Sequence, residues 1–140
     1  MNLTIYTDAG ARGNPGPAAI AVLIFQDGKL LKKDGEYLGT ATNNQAEYRA
    51  VIKALELAHA LKAKEIKLLT DSELVCRQLV GEYKVKNKEL KPLFEKAKSL
   101  EKGFVKVEWG SVPRENPHTR MADRLVNCIL DAQERKAPGT

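Results

Sequence analysis

The chain opens with two short runs dominated by β-branched and aromatic residues, 3 to 8 (LTIYTD) and 19 to 26 (AIAVLIFQ), separated by a Gly/Pro-rich stretch from Ala9 to Pro17. Runs of this kind bounded by turn residues predict strands joined by a loop. Asp27-Gly28 then fits a tight turn into a third strand over 29 to 38, so an antiparallel meander is expected. From Asn44 to Lys62 the apolar positions change to helical period. Residues 65 to 70 (EIKLLT) return to strand, and a helix is predicted to begin near Ser72. Another helix is predicted over 88 to 102, a last strand over 104 to 112 and a closing helix over 121 to 134. That order predicts an α/β fold in which crossover helices set the later strands parallel to the first. The expected architecture is a mixed five-stranded sheet with helices on both faces.

In such sheets, sites form beyond the carboxyl ends of the parallel strands. Asp8 and Asp71 each end a predicted strand there, in the repeated pairs Thr7-Asp8 and Thr70-Asp71. Glu47, Val51, Ala54, Ala58 and Leu61 share one stripe of the first helix, which aims the Glu47 carboxylate at the sheet. Each acid also has a structural reading: Asp71 as a helix N-cap, Asp8 in a turn, Asp123 at the positive end of the last helix, and Glu47 in a capping box with Asn44. Together, however, carboxylates converging on one point repel one another unless a cation joins them. All-oxygen ligation suits Mg²⁺ or Mn²⁺, and the scarcity of Cys and His argues against zinc. Two such ions about 4 Å apart activate a water and stabilise the leaving oxygen of a phosphodiester.

Composition sets the remaining bounds. At 140 residues one core is expected, with a domain over 1 to 136 and a short tail over 137 to 140. The longest apolar runs, such as Ala18 to Phe25, fall far short of the roughly 20 residues that span a bilayer. The first six residues lack the basic and apolar regions of a secretory signal, so a cytoplasmic protein is expected. Cys76 and Cys128 have no partner at metal-binding spacing and read as small buried hydrophobes rather than a disulfide. The net charge of +5 favours a polyanionic partner. No obligate protein partner is evident, and a monomer is expected. Gly10, Gly13 and Gly16 do not fit a G-x-G-x-x-G or Gly-Lys-Ser/Thr loop, which argues against a nucleotide-binding turn.

Four motifs then carry a resemblance. Tyr6-Thr7-Asp8-Ala9-Gly10, Thr42-Asn43-Asn44-Gln45-Ala46-Glu47-Tyr48, Leu69-Thr70-Asp71-Ser72 and Met121-Ala122-Asp123-Arg124-Leu125 together resemble type 1 ribonuclease H, in order over nearly the whole chain. The resemblance implies a ribonuclease H-like fold and endonucleolytic hydrolysis of the RNA strand of RNA–DNA hybrids, leaving 5′-phosphate and 3′-hydroxyl ends. It implies that Asp8, Glu47, Asp71 and Asp123 hold the metal, and that Asn14, Asn44 and Gln45 contact the RNA strand in the minor groove. Turn and helix-cap roles explain those three equally well by residue preference. Arg12, Arg114, Lys84, Lys86 and Lys88 are candidates for phosphate contacts, against the plainer reading of a solvated charged face.

Three features depart from the pattern. Gly81 to Pro92 is too short for the long basic protrusion of larger bacterial members, which makes the chain similar to the compact archaeal and bacterial form. Glu73 stands where the family often has Gln, and Thr119 where an Asn is usual. His118 is a candidate for the histidine that aids proton transfer in many members; an exposed loop histidine without a role is the simpler reading. The same fold and acids occur in resolvases, transposases and integrases, so a nuclease acting on DNA is the nearest alternative. A non-catalytic hybrid-binding module is another, although concentrated negative charge does nothing for a pure polyanion binder.

Overall fold

Every residue from Ala18 to Phe25 is buried, the pattern of a strand covered on both faces rather than of one that alternates with solvent. In the computed structural model, which describes residues 1 to 136, this run lies in strand β2 (Gly16–Gln26), next to β1 (Asn2–Ala11) and β3 (Lys29–Ala41). Helix α1 (Asn43–Ala60) leads to β4 (Glu65–Thr70), helices α2 (Glu73–Leu79) and α3 (Lys91–Glu101) to β5 (Lys106–Ser111), and α4 (Pro117–Lys136) follows. The predicted tail over 137 to 140 lies outside the described residues.

The strand order is β3-β2-β1-β4-β5. Both meander pairs are antiparallel, and β1 with β4 and β4 with β5 are parallel. Residues of alternate strand positions feed two cores. Ile5, Val22, Ile24 and Leu68 pack under Tyr48, Val51 and Leu55 of α1, with α2 and α3 beside them. Ala19, Ala21, Leu23 and Phe25 pack on the other face under Ala122, Val126 and Leu130 of α4. The predicted mixed five-stranded sheet with helices on both faces is the one observed.

The differences have local causes. Ala9 to Pro17 is not a loop throughout: β1 and β2 stay paired as far as Ala11↔Ala18, leaving only a short turn between them. Small residues permit this, since a Cβ at Gly10 would lie 3.3 Å from a Val126 methyl of α4. Likewise β3 runs to Ala41, opposite Gly16, rather than ending at Leu38. Helix α4 begins at Pro117, a turn earlier than the apolar period indicates, because Asn116 Oδ1 accepts from the backbone N–H groups of His118 and Thr119 and proline suits the first helical position. Cys128 is exposed and Cys76 half-buried, both as free thiols, so neither is the buried hydrophobe expected. Cys76 falls beside the buried stripe of Val75 and Leu79, and Cys128 lies on the face of α4 opposite Ala122, Val126 and Leu130.

The turn that carries Arg12 and Asn14 is closed by a backbone hydrogen bond from Arg12 N–H to Pro17 O, 2.8 Å. A Cβ at Gly16 would stand 2.3 Å from Arg12 O, a backbone atom with no rotamer by which to yield. Gly16→Ala is therefore expected to destabilise the protein by roughly 1–3 kcal/mol, the usual cost of overpacking. A thermal melt followed by circular dichroism checks this, and an unchanged Tm would contradict it.

Candidate active site

The last rung of the β1–β4 parallel ladder is Thr7↔Thr70. Beyond it the two strands diverge, and Asp8 and Asp71 come next on each. Asp8 remains in the antiparallel ladder opposite Ala21, so its backbone is held while its side chain faces the gap. Asp71 is relieved of capping duty because Ser72 is the N-cap of α2, its side chain accepting from Val75 N–H. The Asn44 capping box considered for Glu47 is likewise replaced: Thr42 caps α1, accepting from Gln45 N–H, while Gln45 Oε1 accepts from Thr42 N–H. Glu47 is free of both, and lies buried on the sheet-facing side of α1.

Asp8, Glu47 and Asp71 each offer a carboxylate oxygen within 4.8 Å of the others. Thr70 Oγ1 donates to Glu47 Oε2 at 3.4 Å and accepts from Ser72 N–H at 3.0 Å. Asp123 borders the same cavity, of about 390 Å³, but it is exposed, belongs to the second turn of α4 rather than its first, and accepts from Asn127 Nδ2 at 3.3 Å. Among the described residues it stands outside the tight cluster of three.

The electrostatics follow from that convergence. Burial, then the nearby Asp71 charge, pushes the Asp8 carboxyl up to about 8. Burial followed by the Asp71 and Asp8 charges raises Glu47 well above the ordinary range, and burial raises Asp71, opposed by Arg114. Asp8 Oδ2 is buried without a hydrogen-bond partner. A buried carboxylate oxygen without a partner, beside other acids that repel it, is costly. It is what a hard divalent cation coordinated by carboxylates relieves.

The other predicted residues divide between the cavity and its surroundings. Asn44 and Arg114 line it, as does Asn43, which was not singled out from the sequence. Asn43 joins two elements: its Oδ1 accepts from Ala11 N–H and its N–H donates to Asn14 Oδ1. Its place inside the Thr42-to-Tyr48 motif is the signal that marks it. An adjoining groove is lined by Asn14, Asn44 and Gln45 together with Asn87 and Glu89. There the Gln45 amide is engaged internally, donating from Nε2 to Glu89 as well as closing the capping box.

Arg12 lies against α4, paired with Asp131 and Glu134 at 2.7 Å each and donating to Asn127. His118 is neither exposed nor in a loop. It is half-buried in α4, its ring 4.7 Å from Tyr6 and 4.5 Å from Phe25, with Nδ1 buried and unpartnered. It is not among the residues that line the cavity. Glu73 turns from the cleft to Arg77, 2.6 Å away.

The RNase H family matches residues 1–129. A bifunctional protein of Mycobacterium tuberculosis is 38% identical over 139 residues, 98% of this chain but 38% of that protein; the chain thus spans about two-fifths of this relative's length. Ribonuclease HI of Halobacterium salinarum is 42% identical over 127 residues, 90% of this chain and 63% of that protein. Ribonuclease H of Treponema pallidum is 31% identical, covering 99% of this chain and 94% of that protein. Among solved structures, RNase H1 of Halobacterium salinarum superimposes with a TM-score of 0.89 at 38% identity, over 94% of this chain and 99% of that one. LC11 RNase H1, in complex with an RNA/DNA hybrid, gives 0.87 at 41% identity, over 94% and 98%.

Proposed function

The chain belongs to the RNase H family, and on that premise we propose that it hydrolyses the RNA strand of RNA–DNA hybrids endonucleolytically, leaving 5′-phosphate and 3′-hydroxyl ends. The observation that carries this reading is the convergence of Asp8, Glu47 and Asp71 at the divergence of β1 and β4, within one open cavity. Asp8, Glu47 and Asp71, with Asp123 at the rim, are the residues that hold divalent metal, read as two Mg²⁺ or Mn²⁺ ions. Metal held there would supply a nucleophilic water near neutral pH and offset charge on the leaving oxygen.

The chain's own residues supply the rest. Asn14 and Asn43 hold the β1–β2 turn against the start of α1, so the groove edge is rigid where a substrate strand lies across it. Amide groups on such an edge suit 2′-hydroxyls, which distinguish RNA from DNA without reading sequence. Asn14 and Asn44 keep that role here. Gln45 supports them by fixing the helix start, and the exposure of Arg114 at the cavity supports a phosphate contact. One copy carries all four acids, which supports action as a monomer.

Incubation of the protein with a labelled hybrid, a DNA duplex and an RNA duplex, each with and without Mg²⁺, tests the proposal. Metal-dependent cutting confined to the RNA of the hybrid is expected. A cut DNA strand favours the DNA-directed alternative, and binding without cutting favours a hybrid-binding module. Hybrid affinity is also expected to fall steeply with salt, since phosphate neutralisation releases counterions; neutralising roughly 4 phosphates gives a log–log slope near −4. A flat dependence in a fluorescence-anisotropy titration would contradict it.

A further inference from the structure

Arg114 is the only cation among the residues lining the carboxylate cavity. Its Nε lies 3.6 Å from Asp71 Oδ2, yet its side chain is 84% exposed. The backbone around it is fastened on either side. Val112 N–H donates to Thr70 O, beside Asp71. Asn116 N–H donates to Pro113 O, and its side chain caps α4. Arg114 therefore extends from a short, anchored loop tip and stays within reach of the cavity while its guanidinium has few contacts to hold it. An exposed ion pair of this kind is weak and readily exchanged. Among three converging carboxylates it nevertheless opposes the raised proton affinity of each, Asp71 most directly.

We propose that Arg114 is a tethered counter-cation of the carboxylate cluster, which occupies Asp71 until a divalent ion takes its place and is then released toward the mouth of the cavity. The carboxylate that receives the guanidinium is one of the three whose oxygens converge within 4.8 Å, so the two cations compete for it. Like charges at one carboxylate repel, and the guanidinium, being exposed and flexibly attached, is the one that yields. Its release leaves a free five-donor fork at the rim, suited to bidentate binding of phosphate. Metal loading and substrate capture are then coupled through one side chain. The inference rests on the metal-holding reading of the site but needs no substrate, so it stands or falls separately from the hybrid-cleaving activity.

The test uses Mg²⁺ alone. In the metal-free protein the weak pair with Asp71 is expected to restrain the Arg114 Nε–H in part, and titration with Mg²⁺ is expected to raise its mobility in nitrogen-15 relaxation. By calorimetry, Arg114→Gln should bind Mg²⁺ roughly three- to fivefold tighter, as loss of an exposed competing pair implies, and the metal-free variant should melt lower than the wild type. Lys29→Gln, at the far end of the sheet where Gln26 pairs with Lys29, removes the same charge without removing the competitor. It should leave both quantities unchanged. An Arg114 Nε–H whose mobility is unchanged at saturating Mg²⁺, or equal tightening by Lys29→Gln and Arg114→Gln, would overturn the proposal. If Mg²⁺ does not bind the wild type at all, the metal-site reading fails and the proposal with it.

Discussion

Asp8→Asn is expected to abolish hydrolysis, whereas Asp123→Asn is expected to retain measurable activity that recovers partly at higher metal concentration or with Mn²⁺. Asp8 is 3% exposed, held in the sheet, with an oxygen that has no protein partner. Its charge has no local substitute, and the loss of several kcal/mol of metal-based transition-state stabilisation corresponds to at least roughly a thousandfold in rate. Asp123 is exposed on α4 and stands outside the cluster of three. An Asn there keeps an oxygen able to coordinate, so a loss of roughly ten- to a hundredfold is expected, as for groups that support a metal site from its periphery. Steady-state kinetics of both variants across a metal titration decide it. Equal and complete loss would show that α4 presents Asp123 as rigidly as the strands present Asp8.

The second large effect is on stability without metal. The Asp8 carboxyl is raised from its ordinary value of 3.8 to about 8, first by burial and then by Asp71, and Glu47 is raised in the same direction. Between those limits the folded protein keeps a proton that the unfolded chain gives up. The folded state therefore binds more protons, and stability falls as pH rises through the window, with the Asp8 contribution levelling off above about pH 8. In a chelated buffer the melting temperature should be higher near pH 5 than near pH 8, by an amount reflecting a few kcal/mol from Asp8, with Glu47 acting in the same direction. Saturating Mg²⁺ should shrink or reverse the difference, because the cation binds the charged form. Asp8→Asn should flatten the metal-free profile and melt above the wild type near pH 8. A wild-type profile that rises with pH under chelation would refute the assignment of these acids as mutually repelling.

Local pattern determined a good deal of this protein on its own. The switch from strand to helical period near Asn44 placed α1, and the stripe shared by Glu47, Val51, Ala54 and Ala58 aimed the acid at the sheet, where all four are buried. The repeated Thr-Asp pairs placed Asp8 and Asp71 together because strand ends in a parallel ladder are neighbours by construction. These readings succeed because a side chain's face follows from its position within one element.

What the sequence left open depended on contacts between elements. The cap of α1 considered from the sequence was Asn44, whereas Thr42 is the cap, since both types cap well and only the formed helix shows which side chain meets Gln45 N–H. Arg12 read as a candidate phosphate contact, yet it is paired with Asp131 and Glu134, more than a hundred residues away. His118 read as a loop residue until Asn116 and Pro117 were seen to start the helix that lays its ring on Tyr6 and Phe25. Arg114 acquired a partner only when β5 set its loop beside Asp71. Hydrophobic period is written within a few residues, whereas the pairing of charges and amides is settled by which surfaces the folded sheet and helices bring within hydrogen-bond reach.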